Sequence, residues 1–321
     1  MSNQQPRSLP ADAVAVVASS DQNYAMHLTV MFTSLIRNCS DPARVYLYCI
    51  DGGIADSTKT VMEEEVKKAG GKGIDFVTFD KSRFEHLPTI KHITSSAYYR
   101  IAIPEIFDES VKKVVYLDCD VIVLGDILEL AATDISDYHV AAVENLSGHT
   151  YKQLGIPQDE YFNSGVLLLN LELWRRDDIS NEVLRFKQEN PHRISTNDQC
   201  ALNGILHTRW KHLPLRWNHQ TGLYRHSEQI AGFDPEEVRE ANLNPGIIHY
   251  IGWDKPWRKV RFHPLAGEYD RYADQLAESP RPKPTLADYF QAYASISRLK
   301  KLWRCEKNKR WYRANGFSLY E

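Results

Sequence analysis

Short apolar runs alternate with helix-period segments through the first quarter of the chain, and few folds accommodate that rhythm. Ala13–Ala18 is an apolar run bounded by Ser19-Ser20-Asp21, the pattern of a buried first strand. Tyr24, Leu28, Met31 and Leu35 then recur at helical spacing. Val45–Ile50 reads as a second buried strand, stopped by Asp51-Gly52-Gly53. A helix over Ser57–Ala69 leads through a glycine-rich turn into a third strand, Ile74–Phe79. Strand, helix, strand, helix, strand predicts a parallel α/β sheet.

Further along, Ser95–Ile103 reads as a helix and Val114–Leu117 as a strand that enters Asp118-Cys119-Asp120. Val121-Ile122-Val123 continues the apolar run. Val140–Val143 and Gly165–Leu169 are further buried strands, and the second is continuous enough in Val and Leu to be central. The rhythm stops after Ile247-Ile248, and no internal repeat is visible. The 321 residues therefore divide into a flexible start (1–12), one α/β domain (13–264) and a helical, basic and aromatic C-terminal tail (265–321).

Within that tail Pro280, Pro282 and Pro284 look like a linker. Phe290, Tyr293, Ile296, Leu299, Leu302 and Trp303 follow at helical spacing. Arg298 to Arg313 carries eight basic residues against one acidic, Glu306. Two readings stay open: an element that meets an anionic membrane surface, and a solvated helix packed on the domain.

A net charge of −3 gives no global pull toward nucleic acid. The polar, proline-containing N-terminus has no apolar signal core, and no apolar run is long enough to span a bilayer. The five cysteines form no C-x-x-C pair, which favours reduced thiols and a cytoplasmic location.

The sharpest local feature is the apolar strand ending in Asp118-Cys119-Asp120. In extended backbone, residues two apart project to one side, so both carboxylates would face the crevice where α/β sheets bind ligands. Two unpaired carboxylates there repel, and a divalent cation removes that cost while creating a phosphate site. Cys119 should face away, toward the core. A bare D-x-D is short, and an Asp-rich turn capping a strand is the plain alternative.

The same residues also suit a haloacid-dehalogenase-like phosphatase with Asp118 as nucleophile. That chemistry wants the motif at the start of its domain and a later strand ending in Asp. Here a complete βαβαβ block comes first, and the later pair Asp177-Asp178 follows Trp174-Arg175-Arg176. The segment His249-Tyr250-Ile251-Gly252-Trp253-Asp254-Lys255 favours a transferase instead. An imidazole at His249 completes an Asp–Asp–His set, and a nitrogen ligand tilts the site from Mg2+ toward Mn2+. Gly252 permits close backbone approach to a phosphate, and Lys255 offers a mobile positive charge for a leaving group.

Taken in order, Ser19-Ser20-Asp21-Gln22-Asn23-Tyr24, Ser96-x-x-Tyr99-Arg100, Leu117-Asp118-Cys119-Asp120, Tyr161-Phe162-Asn163-Ser164-Gly165-Val166, Asn197-Asp198-Gln199 and His249–Trp257 resemble glycosyltransferase family 8. The bacterial members of that family include lipooligosaccharide galactosyl- and glucosyltransferases. The resemblance covers about Ala13 to Trp257. It implies a GT-A-type α/β/α sandwich on a mostly parallel sheet, plus the C-terminal tail.

It further implies a retaining transferase that moves galactose or glucose from UDP-galactose or UDP-glucose to a carbohydrate or lipid-linked glycan acceptor. Asp118, Asp120 and His249 would hold Mn2+, with Mg2+ as the alternative. Ser19, Ser20, Asp21, Asn23 and Tyr24 would form the uridine pocket, with Cys119, Gly165, Gly252 and Lys255 also beside the donor. Arg100, Asn163, Asp198 and Gln199 would surround the donor sugar. Gln199 or Asp198 is the candidate nucleophile for a double displacement, but a neutral amide is a poor one, which favours front-face substitution. Ser19-Ser20 and Gln22 depart from the residues frequent in bacterial relatives, so base and ribose recognition is less defined than the rest. A sugar-nucleotide-binding protein without activity is the non-enzyme alternative, although every expected metal and phosphate position holds a competent side chain. Trp210, Trp217, Tyr224, Trp253 and Trp257 are candidates to stack on acceptor sugars.

Overall fold

A computed structural model describes residues 7–78, 95–194, 197–225, 230–294 and 296–320. Phe79, the last residue of the third expected strand, and the side chains of Ser96 and Asn197 lie outside what is described.

The main sheet is built from β1 (Val14–Ser20), β2 (Val45–Asp51), β3 (Ile74–Val77), β4 (Lys113–Leu117), β6 (Val140–Ala142), β7 (Val166–Asn170) and β8 (Trp210–His212), with β5 (Val121–Val123) and β9 (Ile247–His249) forming a separate ribbon. The main order is β3-β2-β1-β4-β7-β6-β8. β1, β2, β3 and β4 run parallel, as does β6 with β8, while β7 is antiparallel to both β4 and β6. The expected continuous apolar run at β7 is therefore an interior strand, but an antiparallel one. It is covered on both faces, and that coverage, not strand direction, removes the usual polar alternation.

The two faces show in β1. Val16 and Ala18 pack with Leu28, Met31 and Leu35 of the helix Ala25–Asn38. Ala15 and Val17 pack on the other side with Ile101, Trp174 and Leu202. Both sides of β1 are thus core, so its positions stay apolar until the strand reaches its carboxyl end.

One expectation is refined here and one corrected. The helix expected over Ser95–Ile103 is present, spanning Ser95–Glu105 in 3-10 form. Pro104 removes a donor near its end, and consecutive residues from Tyr99 to Ile103 are all buried, so that stretch shows no solvated face for an α-helical period to match. The apolar run through Val121–Val123 does not continue β4. The places beside β4 are taken by β1 and β7, so the chain turns at Asp118–Asp120 and lays β5 across the helix Ala25–Asn38. There Val123 N donates to Ser34 Oγ at 3.0 Å, and Asn38 Nδ2 donates to Val123 O at 3.0 Å. β5 pairs antiparallel with β9, placing Val121 opposite His249.

Beyond the helix Ala266–Ala273, the C-terminal tail forms two more helices, Leu286–Tyr293 and Ile296–Ala314, instead of one continuous stripe. The first opens with a reciprocal capping box between Thr285 and Asp288. The second is anchored by Tyr312, which is buried and donates to Asn242 Oδ1 at 2.9 Å. Tyr312 packs in one apolar cluster with Ile122, Ile248, Tyr250, Tyr269 and Tyr272. No helix among the described residues is long and apolar enough to cross a membrane. All five cysteines are free thiols.

Candidate active site

The carboxyl ends of β1, β4 and β9 and the start of β7 converge on one crevice. Asp118 directly follows β4, Asp120 sits in the turn beyond it, and their oxygens come together with His249. One ligand atom from each of Asp118, Asp120 and His249 lies within 4.8 Å of the others. The β5–β9 ribbon makes this possible, because Val121 faces His249 and Tyr250 N donates to Asp120 O at 3.0 Å. His249 Nε2 lies 3.3 Å from Asp120 Oδ1.

Gly165 completes the cradle. A Cβ there would lie 2.2 Å from His249 Cε1 and 2.8 Å from Asp118 Oδ2, inside any permitted contact. Its carbonyl accepts from Asp118 N at 2.9 Å, so the backbone of β7 also holds the turn. Two oxygens and one imidazole nitrogen, close together and shielded on one side by a glycine, fit a divalent cation that accepts mixed O/N donors.

Around this trio the charges are paired. Lys255 Nζ rests on Asp120 Oδ2 and donates to Tyr250 O at 2.7 Å. Burial works against ionisation of Asp120, but Lys255 and His249 outweigh it and hold the carboxyl far below its ordinary range. Arg100 is buried, not on a helix surface. It donates to Asp118 Oδ1 at 2.8 Å, lies 2.9 Å from Asp198 Oδ2 and sits over the Tyr116 ring at 4.4 Å. Desolvation opposes its charge, and Asp118 and Asp198 more than restore it. Desolvation raises the Asp198 carboxyl despite Arg100.

Beyond the ions runs an amide chain. His249 Nδ1 lies 3.0 Å from Asn218 Oδ1, and Asn218 Nδ2 donates to Asn163 Oδ1 at 2.9 Å. Asn163 Nδ2 donates to Gln199 Oε1 at 3.2 Å, Ser164 N donates to the same oxygen at 3.1 Å, and Gln199 Nε2 donates to Tyr161 Oη at 3.1 Å. An acceptor at Nδ1 fixes the imidazole proton there and leaves the Nε2 lone pair toward the aspartates. Asn218 was not singled out from the sequence, and neither was Tyr116, whose hydroxyl donates to Asp118 Oδ1 at 3.0 Å. A lone Asn between Trp217 and His219 has no local pattern, and Tyr116 reads as one more core residue of β4. No sequence signal marks either.

The remaining expected residues lie at the rim. Ser19 Oγ is 3.4 Å from Tyr116 Oη, and Ser20 Oγ donates to Asp21 O at 3.0 Å. Asp21 Oδ1 accepts from Asn23 N at 2.9 Å and Tyr24 N at 3.2 Å, shaping the entry to the helix Ala25–Asn38. Tyr24 is 41% exposed, and its ring meets His27 edge-on at 6.0 Å and Trp257 at 5.9 Å. Cys119 is half-buried, and its thiol reaches Ser19 O at 2.9 Å. Gly252 has φ of 80°, a left-handed turn that a side chain would strain. Trp210, Trp217 and Tyr224 are buried in the core, which removes them from acceptor stacking, whereas Trp253 is 72% exposed. Asp177 of the phosphatase reading is spoken for by Arg176 and His139.

Comparison with known proteins agrees with this geometry. The family model for glycosyl transferase family 8 matches residues 15–261. General stress protein A of Bacillus subtilis is 41% identical over 265 residues, 80% of this chain and 92% of that protein. The lipopolysaccharide 1,3-galactosyltransferase of Salmonella typhimurium is 25% identical over 270 residues, covering 80% and 76% respectively. Among solved structures, the galactosyltransferase LgtC in complex with donor and acceptor sugar analogues superposes with a TM-score of 0.74 at 26% identity, over 87% of this chain and 99% of that one. The expected GT-A-type architecture is thus present, and the chain belongs to glycosyl transferase family 8.

Proposed function

We propose that the chain is a retaining hexosyltransferase taking galactose or glucose from a UDP-sugar to a glycan acceptor, with Mn2+ (or Mg2+) held by Asp118, Asp120 and His249. The observation that carries this is the meeting of those three side chains over Gly165, where a single methyl group would close the space. A divalent cation bound there supplies Lewis acidity toward the diphosphate of the donor.

This chain's residues do the rest. Arg100 ties Asp118 to Asp198, joining the diphosphate end of the crevice to its sugar end. Asn163, Gly165, Asp198 and Gln199 wall the donor sugar, and Ser19 to Tyr24 face the uridine. Lys255 meets the negative charge that builds on the leaving diphosphate. Gln199 is a weak nucleophile twice over, being neutral and having its oxygen occupied by Asn163 and Ser164. Front-face substitution follows: the acceptor oxygen bonds to the anomeric carbon on the face from which diphosphate departs. The acceptor's proton passes to the departing phosphate oxygen, and configuration is retained.

The tail supports a peripheral position at the inner face of the membrane. Leu286, Phe290, Ile296 and Trp303 are each more than 60% exposed beside the basic stretch from Arg298 to Arg313.

Thermal stability with UDP, with Mn2+ and with both, for wild type and Asp120→Asn, tests the donor site. A larger shift with both ligands than with either alone, lost in the variant, is expected. No shift with UDP plus Mn2+ would overturn the nucleotide assignment. Donor hydrolysis then separates UDP-galactose from UDP-glucose.

A further inference from the structure

A cavity of about 490 Å³ lies where the C-terminal tail meets the segment after Lys255, and it shares no residue with the donor site. Its walls carry Arg258, Lys259, Arg261, Arg281, Lys309 and Arg313, against only two carboxylates, Asp270 and Glu306. Lys259 is matched by Asp288, outside the cavity, at 3.1 Å, and Lys309 by Glu306, in its wall, at 3.3 Å. Asp270, 2% exposed, serves two guanidinium groups at once: Arg261 Nη1 at 2.5 Å and Arg281 Nη1 at 2.6 Å. One carboxylate between two arginines leaves a net positive centre while fixing both forks in place.

The helix Leu286–Tyr293 closes one side. Tyr289 and Tyr293 line the cavity with rings stacked at 6.0 Å, and Leu286 and Phe290, both 78% exposed, point elsewhere from the same helix. A ligand held by the arginines therefore has two tyrosine rings beside it and an apolar surface just outside. Val260, Pro264, Leu302 and Leu319 add apolar wall, but the excess of positive charge repels a cation and favours an anion.

We propose that this cavity is a second anion site that binds a phosphate or diphosphate group. Two sources share that chemistry, a phospholipid headgroup and a soluble phosphate ester, and the exposed Leu286 and Phe290 favour the headgroup. The site gives the tail a specific grip where a diffuse basic surface would give only nonspecific attraction. It does not rest on the donor-site reading, and its failure would leave that reading intact.

The test uses the full chain in EDTA, which removes divalent cations from the donor site, titrated calorimetrically with inorganic pyrophosphate. Saturable binding is expected, about tenfold weaker in Lys309→Gln/Arg313→Gln through loss of charge-assisted hydrogen bonds, and unchanged in Asp120→Asn. Arg258→Gln, an exposed position, serves as the second variant should the double variant fold poorly, and the same weakening is expected. Absence of saturable binding, or binding indifferent to these variants, would overturn the site. Vesicles of phosphatidylcholine with and without phosphatidic acid then identify the source. Retention that depends on phosphatidic acid and falls in both Arg258→Gln and Phe290→Ser supports the headgroup. Pyrophosphate binding without such retention assigns the site to a soluble phosphate ester and removes the lipid.

Discussion

Gly165 is side-chain-free because His249 and Asp118 occupy the space where a Cβ would lie. Gly165→Ala should push the imidazole away, cost about 1–3 kcal/mol of stability as an overpacked site, and abolish the cooperative stabilisation by UDP and Mn2+; thermal melts with and without ligand read both effects. Asn218 has the complementary role, orienting the imidazole from behind. Asn218→Ala should weaken Mn2+ binding by about 10–100-fold, as loss of an outer partner of a ligating His does. Electron paramagnetic resonance titration of free Mn2+ measures it without turnover. An affinity equal to wild type would mean the imidazole is held by its strand alone. His219, fully buried, has its imidazole pushed down to about 4 by desolvation, against a raising hydrogen bond to Asn242. It stays neutral in the folded chain while the unfolded chain takes up a proton near pH 6.5, so stability is complete above that pH. The loss accumulates as pH falls from about 6.5 to 4, at up to about 1.4 kcal/mol per pH unit. Urea unfolding at pH 7 and pH 5 should show that slope, and His219→Gln should flatten it.

At the scale of elements, the β5–β9 ribbon is the device that assembles the metal ligands from distant parts of the chain. Ile248 sits in its middle, opposite Ile122, with no exposure. Ile248→Ala should cost about 2–5 kcal/mol and loosen His249 relative to Asp120, so Mn2+ affinity should fall along with stability. The loop carrying Lys255 is also tied to the tail, since Lys301 Nζ lies 3.1 Å from Asp254 Oδ2. That pair is half exposed on the lysine side and contributes little to stability, within about 1 kcal/mol. Lys301→Gln should therefore leave the melting temperature nearly unchanged while raising the KM for the sugar donor. An unchanged KM would show that the loop is set by Tyr250 and Asp120 without help from the tail.

For the whole molecule, the tail is structural at one end and exposed at the other. Tyr312 and Cys305 are buried, whereas Leu286, Phe290, Ile296 and Trp303 are open to solvent. Deleting Pro280–Glu321 would strip Tyr312 from the cluster that includes Ile248 and Tyr250, and so would damage the active site along with the tail. A point-substituted tail, Leu286→Ser/Phe290→Ser/Trp303→Ser, is the cleaner probe. Vesicle co-sedimentation should drop, with the melting temperature held, because each side chain leaves solvent-exposed positions only.

The α/β alternation, the residue types at the crevice and the family are legible in the chain alone, because each rests on local pattern or on motif order. The apolar runs of β1, β2 and β4 are legible since both of their faces are buried, and Asp118, Asp120 and His249 stand out by chemistry and position. Tertiary structure alone decided how those residues meet. The antiparallel setting of β7, the exit of β5 from the main sheet and the 3-10 form of Ser95–Glu105 depend on which neighbours already fill each edge and face. Asn218 and Tyr116 became site residues only through contacts with His249 and Asp118, across separations in the chain or within an unremarkable strand. Such roles come from packing and hydrogen-bond satisfaction in three dimensions, and a local pattern carries no record of them.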